Sequence, residues 1–137
     1  MILVDTGPLV ALFDRRDGAH EQARGILCRL REPLVTTVPV LTEAFHLLDP
    51  GRRGAAALRA FVDGPAVRVW YLTDHWLERA FALMERYADH PMDLADASLV
   101  TAAEALGTVR IFSLDRDDFA TYRARVGHGN RRFSSVR

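Results

Sequence analysis

The sequence has no lysine and only one cysteine, which excludes several kinds of chemistry. A lone Cys28 can form neither an intrachain disulfide nor a cysteine-rich zinc site, and it fits a reducing, cytoplasmic compartment. Without lysine there is no Gly-Lys pair, so a nucleotide-binding P-loop is excluded. A receiver-type acidic pocket would also lack its usual lysine. All side-chain positive charge therefore comes from arginine, whose planar guanidinium matches the geometry of phosphate better than the ammonium of lysine does.

The chain also lacks a long apolar run and a net charge. No apolar stretch approaches the roughly 18 residues of a membrane span, and three apolar residues before Asp5 are too few for a signal peptide. Eighteen basic side chains balance 18 acidic ones, so no global basic field indicates a polyanionic partner, although a local arginine patch is compatible with this balance. We expect a cytoplasmic protein without a membrane partner.

What is present suits a single packed domain. With 137 residues and 49% hydrophobic content, the chain can build one core, and no linker or repeat divides residues 1–137. Short apolar segments alternate with helical patterns, with strands predicted at 2–5, 34–37, 67–71 and 110–114. This alternation predicts an α/β fold, a three-layer α/β/α sandwich with a central parallel sheet.

The helical patterns have identifiable starts and stops. Pro8 suits a first helical position, and Gly107 is suited to a left-handed stop. The further helices are predicted at 19–31, about 40–48, 53–63, from 74 onward, 94–106 and 116–125. The tail holds one weak strand candidate, around Phe133.

Four acidic residues stand at matching positions in segments that are far apart in the sequence. Asp5 and Asp115 each follow an apolar strand, and the carboxyl ends of parallel strands form the edge where ligands usually bind. Asp96 lies in the first turn of a helix, and Glu43 lies within an apolar helix at its buried boundary. Clustered carboxylates repel one another and attract a divalent cation. Oxygen ligands alone favour Mg²⁺ or Mn²⁺ over Zn²⁺.

Each acid has an ordinary explanation when it is taken alone. Asp5 and Asp115 can cap the helices that follow them, and Asp93 with Asp96 has the spacing of a capping box. Glu43 can be a solvated helix residue. The combination favours a site, because two strands lead directly into an aspartate at the same edge of the sheet.

Histidine and arginine offer weaker signals. The five histidines are scattered without metal-ligand spacing, so we expect them on the surfaces of helices and turns. Three arginine pairs, at 15–16, 52–53 and 131–132, have the chemistry to grip phosphates. Solvated loop pairs are the simpler interpretation of each.

The segments that carry the acids resemble those of a known family. The opening Ile-Leu-Val-Asp-Thr, Glu43 in a helix, the run Asp-Ala-Ser-Leu-Val-Thr-Ala-Ala-Glu-Ala-Leu-Gly from Asp96, and Phe-Ser-Leu-Asp-Arg-Asp-Asp-Phe around Asp115 are similar to a PIN domain of the VapC toxin type. The resemblance spans nearly the whole chain, with the motifs in the order that the family uses.

This resemblance implies a metal-dependent endoribonuclease that acts as a toxin, is paired with a small antitoxin protein and forms a homodimer. Carried over residue by residue, the catalytic acids and Mg²⁺ ligands are Asp5, Glu43, Asp96 and Asp115. Mn²⁺ is expected to substitute for Mg²⁺. Thr6, and Ser113 where the family often has threonine, would be accessory hydroxyls. Asp93 and Asp118 are additional acids beside these motifs and are alternative metal ligands.

An antitoxin would need both a charged and an apolar contact. We expect it to insert a basic side chain, an arginine, among the four acids. An apolar segment would anchor it, with Leu9, Leu12 or Phe13 as docking positions.

Two other functional classes remain open. A catalytically silent PIN-like domain would have the same fold and would bind RNA or act as a scaffold. Another metal-dependent phosphoryl-transfer enzyme would also use acids at strand ends. A haloacid-dehalogenase-like site, however, expects Asp-x-Asp where this chain has Asp5-Thr6-Gly7.

Overall fold

The computed structural model describes residues 1–137, except for the side chain of Arg116. Strands alternate with one or two helices as far as residue 121, and three short strands follow. None of the helices in this described chain is both long and apolar enough to cross a membrane. The elements are β1 (Ile2–Val4), α1 (Thr6–Phe13), α2 (His20–Arg29), β2 (Leu34–Thr37), α3 (Val38–Leu47), α4 (Arg53–Asp63), β3 (Val67–Trp70), α5 (Asp74–Arg86), α6 (Leu94–Leu106), β4 (Arg110–Phe112), α7 (Arg116–Thr121), β5 (Arg123–Val126), β6 (Gly129–Arg132) and β7 (Ser134–Ser135).

Five parallel strands form the central sheet in the order β3-β2-β1-β4-β7. In the middle strand, Leu3 is in register with Val35 of β2 and with Ile111 of β4. These three side chains are almost completely buried, as expected for parallel strands that are covered on both faces. The predicted α/β fold with a central parallel sheet flanked by helices is therefore confirmed.

The strand order creates a crevice beside β1. Strand β2 is added on one side of β1 and β4 on the other, and a parallel sheet opens at such a switch point, at the carboxyl ends of its strands. Asp5 directly follows β1, and Ser113 directly follows β4. Both residues therefore lie at the edge where a ligand site is expected.

Helix α6 is buried along most of its length and delivers its first turn to this edge. Every residue from 97 to 103 is buried, and the Thr37 and Ser98 hydroxyls share a hydrogen bond of 2.6 Å that ties the helix to the end of β2. Asp93 caps the start of the helix with a capping box, and Gly107 stops it with a φ of 69°. Both of these ends were predicted from the sequence.

Two helices begin earlier than predicted. Helix α1 begins at Thr6 rather than at Pro8, because the Asp5 side chain caps it. Pro8 is then the third helical residue, where a missing N–H costs nothing because first-turn amides have no intrahelical partner. Helix α3 likewise begins at Val38, since Thr37 is its cap.

The C-terminal part of the chain departs most from the sequence prediction. Helix α7 ends at Thr121, so the helix predicted over 116–125 is wrong beyond that point. The Arg123 guanidinium donates to the carbonyl oxygens of Ala120, Thr121 and Tyr122 at 2.7 to 2.9 Å. These bonds satisfy carbonyls that a longer helix would have used, and so they favour its end.

Three strands occupy the tail, where one weak candidate was predicted. Strands β5 and β6 form an antiparallel hairpin that is separate from the central sheet. Strand β7 pairs in parallel with β4, and it starts one residue after Phe133. No apolar alternation marks these strands, because β6 consists of Gly-Asn-Arg-Arg and β7 of two serines.

Candidate active site

Asp5 is held by two hydrogen bonds at the end of β1. Its Oδ1 accepts from the backbone amide of Thr6 at 2.8 Å, and its Oδ2 accepts from the Ser113 hydroxyl at 2.8 Å. Burial raises the pKa of the Asp5 carboxyl to about 6, in spite of the lowering effect of these hydrogen bonds. An ionised Asp5 is therefore costly unless a cation lies nearby.

Glu43 reaches the same edge from α3. The Thr6 hydroxyl donates to its Oε2 at 2.8 Å, so Thr6 connects two acids, one through its amide and one through its side chain. Burial raises the pKa of the Glu43 carboxyl, and the charge of Asp93 raises it further. Thr6 and Ser113, which the sequence indicated as accessory hydroxyls, thus both contact carboxylates of the cluster.

Asp93 and Asp96 meet at the start of α6. The Asp93 Oδ1 accepts from the Asp96 amide at 2.8 Å, while the Asp96 Oδ2 accepts from the Asp93 amide at 3.4 Å. Burial raises the pKa of Asp96 to about 8, and the charges of Asp93, Asp5 and Asp118 contribute to this increase. The structure therefore brings Asp5, Glu43, Asp93 and Asp96 into one acidic cluster.

Asp115 and Asp118 both lie at the start of α7, but they have different surroundings. Asp115 is exposed, and its Oδ1 caps the helix by accepting from the amides of Asp117 and Asp118 at 3.0 and 3.2 Å. The Asp118 Oδ1 lies 2.8 Å from Nε2 of His90. Because Asp118 contributes to the raised pKa of Asp96, its charge lies within range of the acidic cluster.

Tyr122 also contacts this cluster, through its hydroxyl, and the sequence alone did not indicate it. Its ring is fully buried, and its hydroxyl lies 3.2 Å from the Pro91 carbonyl oxygen and 3.4 Å from the Asp96 Oδ2. Burial and the charge of Asp96 raise the pKa of Tyr122, so the phenol remains a hydrogen-bond donor. No local pattern marks this residue, because Asp96 is 26 positions away.

The donor set of the cluster fits a hard divalent cation. Its side chains offer carboxylate oxygens. Burial raises the pKa of three of these carboxyls, those of Asp5, Glu43 and Asp96. None of the salt bridges formed by the described side chains involves Asp5, Glu43, Asp93 or Asp96. Within the same described set, no three His, Cys, Asp or Glu side chains are already arranged closely enough to hold an ion. Ionised carboxylates here would be stabilised by Mg²⁺ or Mn²⁺ drawing them together.

We predict that Asp96→Asn stabilises the metal-free protein in a pH-dependent way. The folded parent keeps a proton on Asp96 that the unfolded chain releases at about pH 4. The stability that comes from keeping Asp96 protonated in the folded state is fully present below about pH 4. It is lost as the pH rises through the folded pKa of Asp96, which is about 8. Asparagine suffers no such loss, so the variant's advantage should grow over this window, by on the order of 1–3 kcal/mol after solvent screening. Urea unfolding in EDTA measures it, and identical pH profiles would contradict it.

A second concave surface lies at the far end of α1 from Asp5. It is a groove of about 750 Å³ between α1, α3 and α4, with Leu12, Phe13 and Leu47 among its apolar lining. Two arginine pairs that the sequence indicated as separate loop pairs line this one groove. They are Arg15, Arg16, Arg52 and Arg53. We call this surface the arginine-rimmed groove.

Comparison with known proteins shows the family and the fold of the chain. The family model that matches the chain is that of the PIN domain, over residues 2–124. Ribonuclease VapC26 of Mycobacterium tuberculosis is 28% identical over 131 residues, which are 93% of this chain and 96% of the relative. The 23S rRNA-specific endonuclease VapC20 of the same organism is 28% identical over 119 residues, which are 85% of this chain and 91% of the relative.

Solved structures share the same architecture. The crystal structure of Mycobacterium tuberculosis VapC20, described as a sarcin-ricin loop cleaving toxin, has a TM-score of 0.80 at 27% identity and covers 86% of this chain and 92% of that chain. A toxin-antitoxin complex from Klebsiella pneumoniae has a TM-score of 0.69 at 19% identity and covers 88% of this chain and 92% of that chain. At this lower identity the second likeness is one of fold.

Proposed function

Because this chain belongs to the PIN domain family, we propose that it is a metal-dependent endoribonuclease that hydrolyses RNA phosphodiester bonds. The observation that carries the proposal is the convergence of Asp5, Glu43 and Asp96, whose pKa values are raised by burial. Similarity to two nucleases over more than four fifths of the chain supports it. A purely structural role would not need three desolvated carboxyls, because buried charge opposes folding.

We assign the metal to the acidic edge of the sheet. The ligands in this proposal are Asp5, Glu43, Asp96 and Asp115, with Asp93 and Asp118 as neighbouring acids. Bound Mg²⁺, for which Mn²⁺ can substitute, would polarise the scissile phosphate and offset its developing negative charge. Asp115 caps α7 through Oδ1, so Oδ2 would be the oxygen that it offers to the metal.

The groups around these carboxylates hold them in fixed orientations. Thr6 hydrogen-bonds both Asp5 and Glu43, and the Tyr122 hydroxyl lies 3.4 Å from the Asp96 Oδ2. Oriented ligands direct their ionised oxygens at one position and need little rearrangement during reaction. Hydrolysis by this arrangement requires no histidine or lysine base, which is consistent with a sequence that has no lysine.

We expect the purified protein to cut RNA only in the presence of Mg²⁺ or Mn²⁺. The same ions at millimolar concentration should raise Tm by mass action, because the unfolded chain has no assembled site. EDTA should remove both effects, and the Asp5→Asn/Asp96→Asn double variant should show no thermal gain. A protein that binds RNA but never cuts it, and whose Tm ignores both ions, would be a silent scaffold and not a nuclease.

We further propose that the protein acts as a cytoplasmic toxin with a small antitoxin as its inhibitor. Its likeness to a structure described as a cleaving toxin supports this, and the lone Cys28 suits a reducing compartment. We also propose a homodimer, which the family resemblance implies, with the exposed side chains of Tyr71 and Phe81 as candidate contacts. We propose that residues 1–137 form one domain, because β1 and β7, from the two ends of the chain, belong to the same sheet.

The proposed antitoxin has two surfaces to contact. An arginine of the antitoxin can neutralise the acidic cluster and occupy the metal position. The arginine-rimmed groove suits an acidic amphipathic segment, because its apolar lining is flanked by four arginines against two aspartates, Asp14 and Asp49, and among the described side chains only Arg16 is paired with one of them. Of the docking positions expected from the sequence, Leu9 is fully buried and unsuitable, whereas Leu12 and Phe13 line the groove.

A further inference from the structure

A positively charged hairpin, formed by β5 and β6, lies beside the acidic cluster. The last fifteen residues of the chain contain five arginines and no acidic side chain, although the whole chain has 18 residues of each sign. Four of these arginines are on the hairpin: Arg123, Arg125, Arg131 and Arg132. Charge is therefore strongly separated within a chain whose net charge is zero.

The hairpin has one packed face and one open face. Ala124 is fully buried, and β5 packs along α6. Arg123 is directly opposite Arg132, and Arg125 is opposite Asn130, so these four residues share the face that is turned away from Ala124. Like charges directly opposite one another destabilise a strand pair. The open face is thus better suited to binding an anion than to stabilising the hairpin.

The body of the protein holds this hairpin in place. The Arg123 amide donates to the Tyr87 hydroxyl at 3.1 Å, and the Arg125 amide donates to the Glu104 Oε1 at 2.9 Å. Glu104 is itself fixed by an ion pair of 2.9 Å with Arg79. Because an isolated two-stranded hairpin is at best marginally stable, these anchors keep the arginines in a defined arrangement.

Two guanidinium groups on the open face, those of Arg125 and Arg132, are available to a ligand, whereas Arg131 is paired with Ala124 and lies on the other face. The Arg123 guanidinium is committed to the carbonyl oxygens at the end of α7. Arg125, Arg131 and Arg132 are exposed, and they form no salt bridge with any side chain that the structure describes. Protection of an edge strand would explain one or two charges of either sign. It does not explain a segment with five positive charges and no negative charge.

The hairpin starts next to the acidic cluster. Tyr122, whose hydroxyl lies 3.4 Å from Asp96 Oδ2, immediately precedes Arg123. Arg132 is the cross-strand neighbour of Arg123, which places its backbone roughly 5 Å farther on. A polyanion that crosses the cluster therefore passes within reach of this surface.

We propose that the hairpin binds the sugar-phosphate backbone of single-stranded RNA near the scissile bond, through Arg125 and Arg132 on its open face. This inference rests on the proposed nuclease function and adds the surface that holds the substrate. An acidic site repels RNA, so a separate positive surface is needed to retain the strand. Arginine forks bind phosphates with good geometry, and such contacts position the strand without reading its sequence.

The test measures binding of a labelled single-stranded RNA of about 12 nucleotides, in the Asp5→Asn background so that the RNA stays intact. Arg125→Gln/Arg132→Gln should weaken the affinity about tenfold and reduce the slope of log K against log salt by about 1.4, at roughly 0.7 for each lost contact. Arg125→Gln alone should reduce the slope by about 0.7. Arg125→Lys/Arg132→Lys should retain the slope, because the positive charge is kept.

The matched control removes the same charge elsewhere. Arg59 on α4 and Arg68 on β3 are also exposed, and β3 is at the opposite edge of the sheet from β7. Arg59→Gln/Arg68→Gln should bind RNA as the parent does, and melting curves should show that every variant is folded. Equal affinity and equal salt slope for the hairpin and control variants would overturn the inference.

Cleavage assays with Asp5 intact separate this inference from the proposed function. For the hairpin double variant we expect KM to rise about tenfold with kcat nearly unchanged, since the arginines act on binding. A parent that cuts RNA while the hairpin variant keeps its KM would retain the nuclease function and reject the hairpin surface. A parent that does not cut RNA would reject both.

Discussion

Replacement of Asp5 by asparagine should abolish RNA cleavage while the protein stays folded. An amide oxygen can still accept from the Thr6 backbone, as Oδ1 of Asp5 does, but the charge that binds metal is gone. Loss of a group that merely orients a metal ligand costs 10- to 100-fold, so loss of a ligand should lower kcat by at least about a hundredfold. Because burial raises the pKa of Asp5 to about 6, the neutral side chain should leave the metal-free fold equally or more stable.

A matched substitution away from the site provides the control. Asp63, on α4, is exposed, and Asp63→Asn makes the same chemical change outside the cluster. Cleavage of labelled RNA at saturating Mg²⁺ and a melting curve should be recorded for both variants. An Asp5→Asn protein as active as Asp63→Asn would falsify the assigned site. If Asp5→Asn does not fold, Asp96→Asn provides the same test, because Asp96 lies in the first turn of α6.

The first four strands of the central sheet were predictable because they carry their own signal, unlike β7, which consists of two serines. Residues 2–4 and 34–35 are short, apolar and buried, and in a parallel sheet such runs stand between helical patterns. Asp5, Glu43 and Asp96 could be expected to converge, because the topology brings strand ends and helix starts to one edge. They do lie together in the structure, and their binding of metal stays a prediction.

The hairpin could not be predicted, since the contacts that fix it are distant in the sequence. Its backbone is anchored by Tyr87 and Glu104, which are 36 and 21 positions away from their partners. Alternating arginines carry no apolar period, so the sequence alone predicts that residues 123–125 continue a helix. Tyr122 was missed for the same reason, because its role near Asp96 depends on the end of α7.

The surroundings of Asp115 and Asp118, at the start of α7, could not be predicted from a sequence motif. The resemblance singles out Asp115 by its spacing from Ser113, and the two are hydrogen-bonded in the structure. Helix formation then commits Asp115 Oδ1 to the cap and turns Asp118 towards His90. Which acid approaches Asp96 depends on how the first turn of α7 winds, and sequence spacing alone does not reveal that.

Charge reversal at Arg52 and Arg53 should release the proposed antitoxin without loss of nuclease activity. Both residues line the arginine-rimmed groove, which we propose receives an acidic amphipathic segment. Arg52 is the N-cap of α4 and Arg53 its first residue, so glutamate at these positions favours the helix dipole and the fold is retained. An exposed ion pair contributes about 0–1 kcal/mol. Two attractions replaced by two repulsions should therefore weaken binding by about tenfold to a hundredfold.

The measurement begins with co-expression of the chain and the small protein encoded immediately upstream, which should yield a complex without nuclease activity. Titration calorimetry should then give a weaker Kd for Arg52→Glu/Arg53→Glu and a parental Kd for the control Arg59→Glu/Arg68→Glu, whose residues lie outside the groove. Glu43→Ala should weaken binding separately, because it removes a carboxylate that an inserted arginine would contact. Equal Kd values for the groove and control variants would exclude the groove from the interface. Full activity of the chain without any growth inhibition, when it is expressed alone, would contradict the toxin role and leave the nuclease function standing.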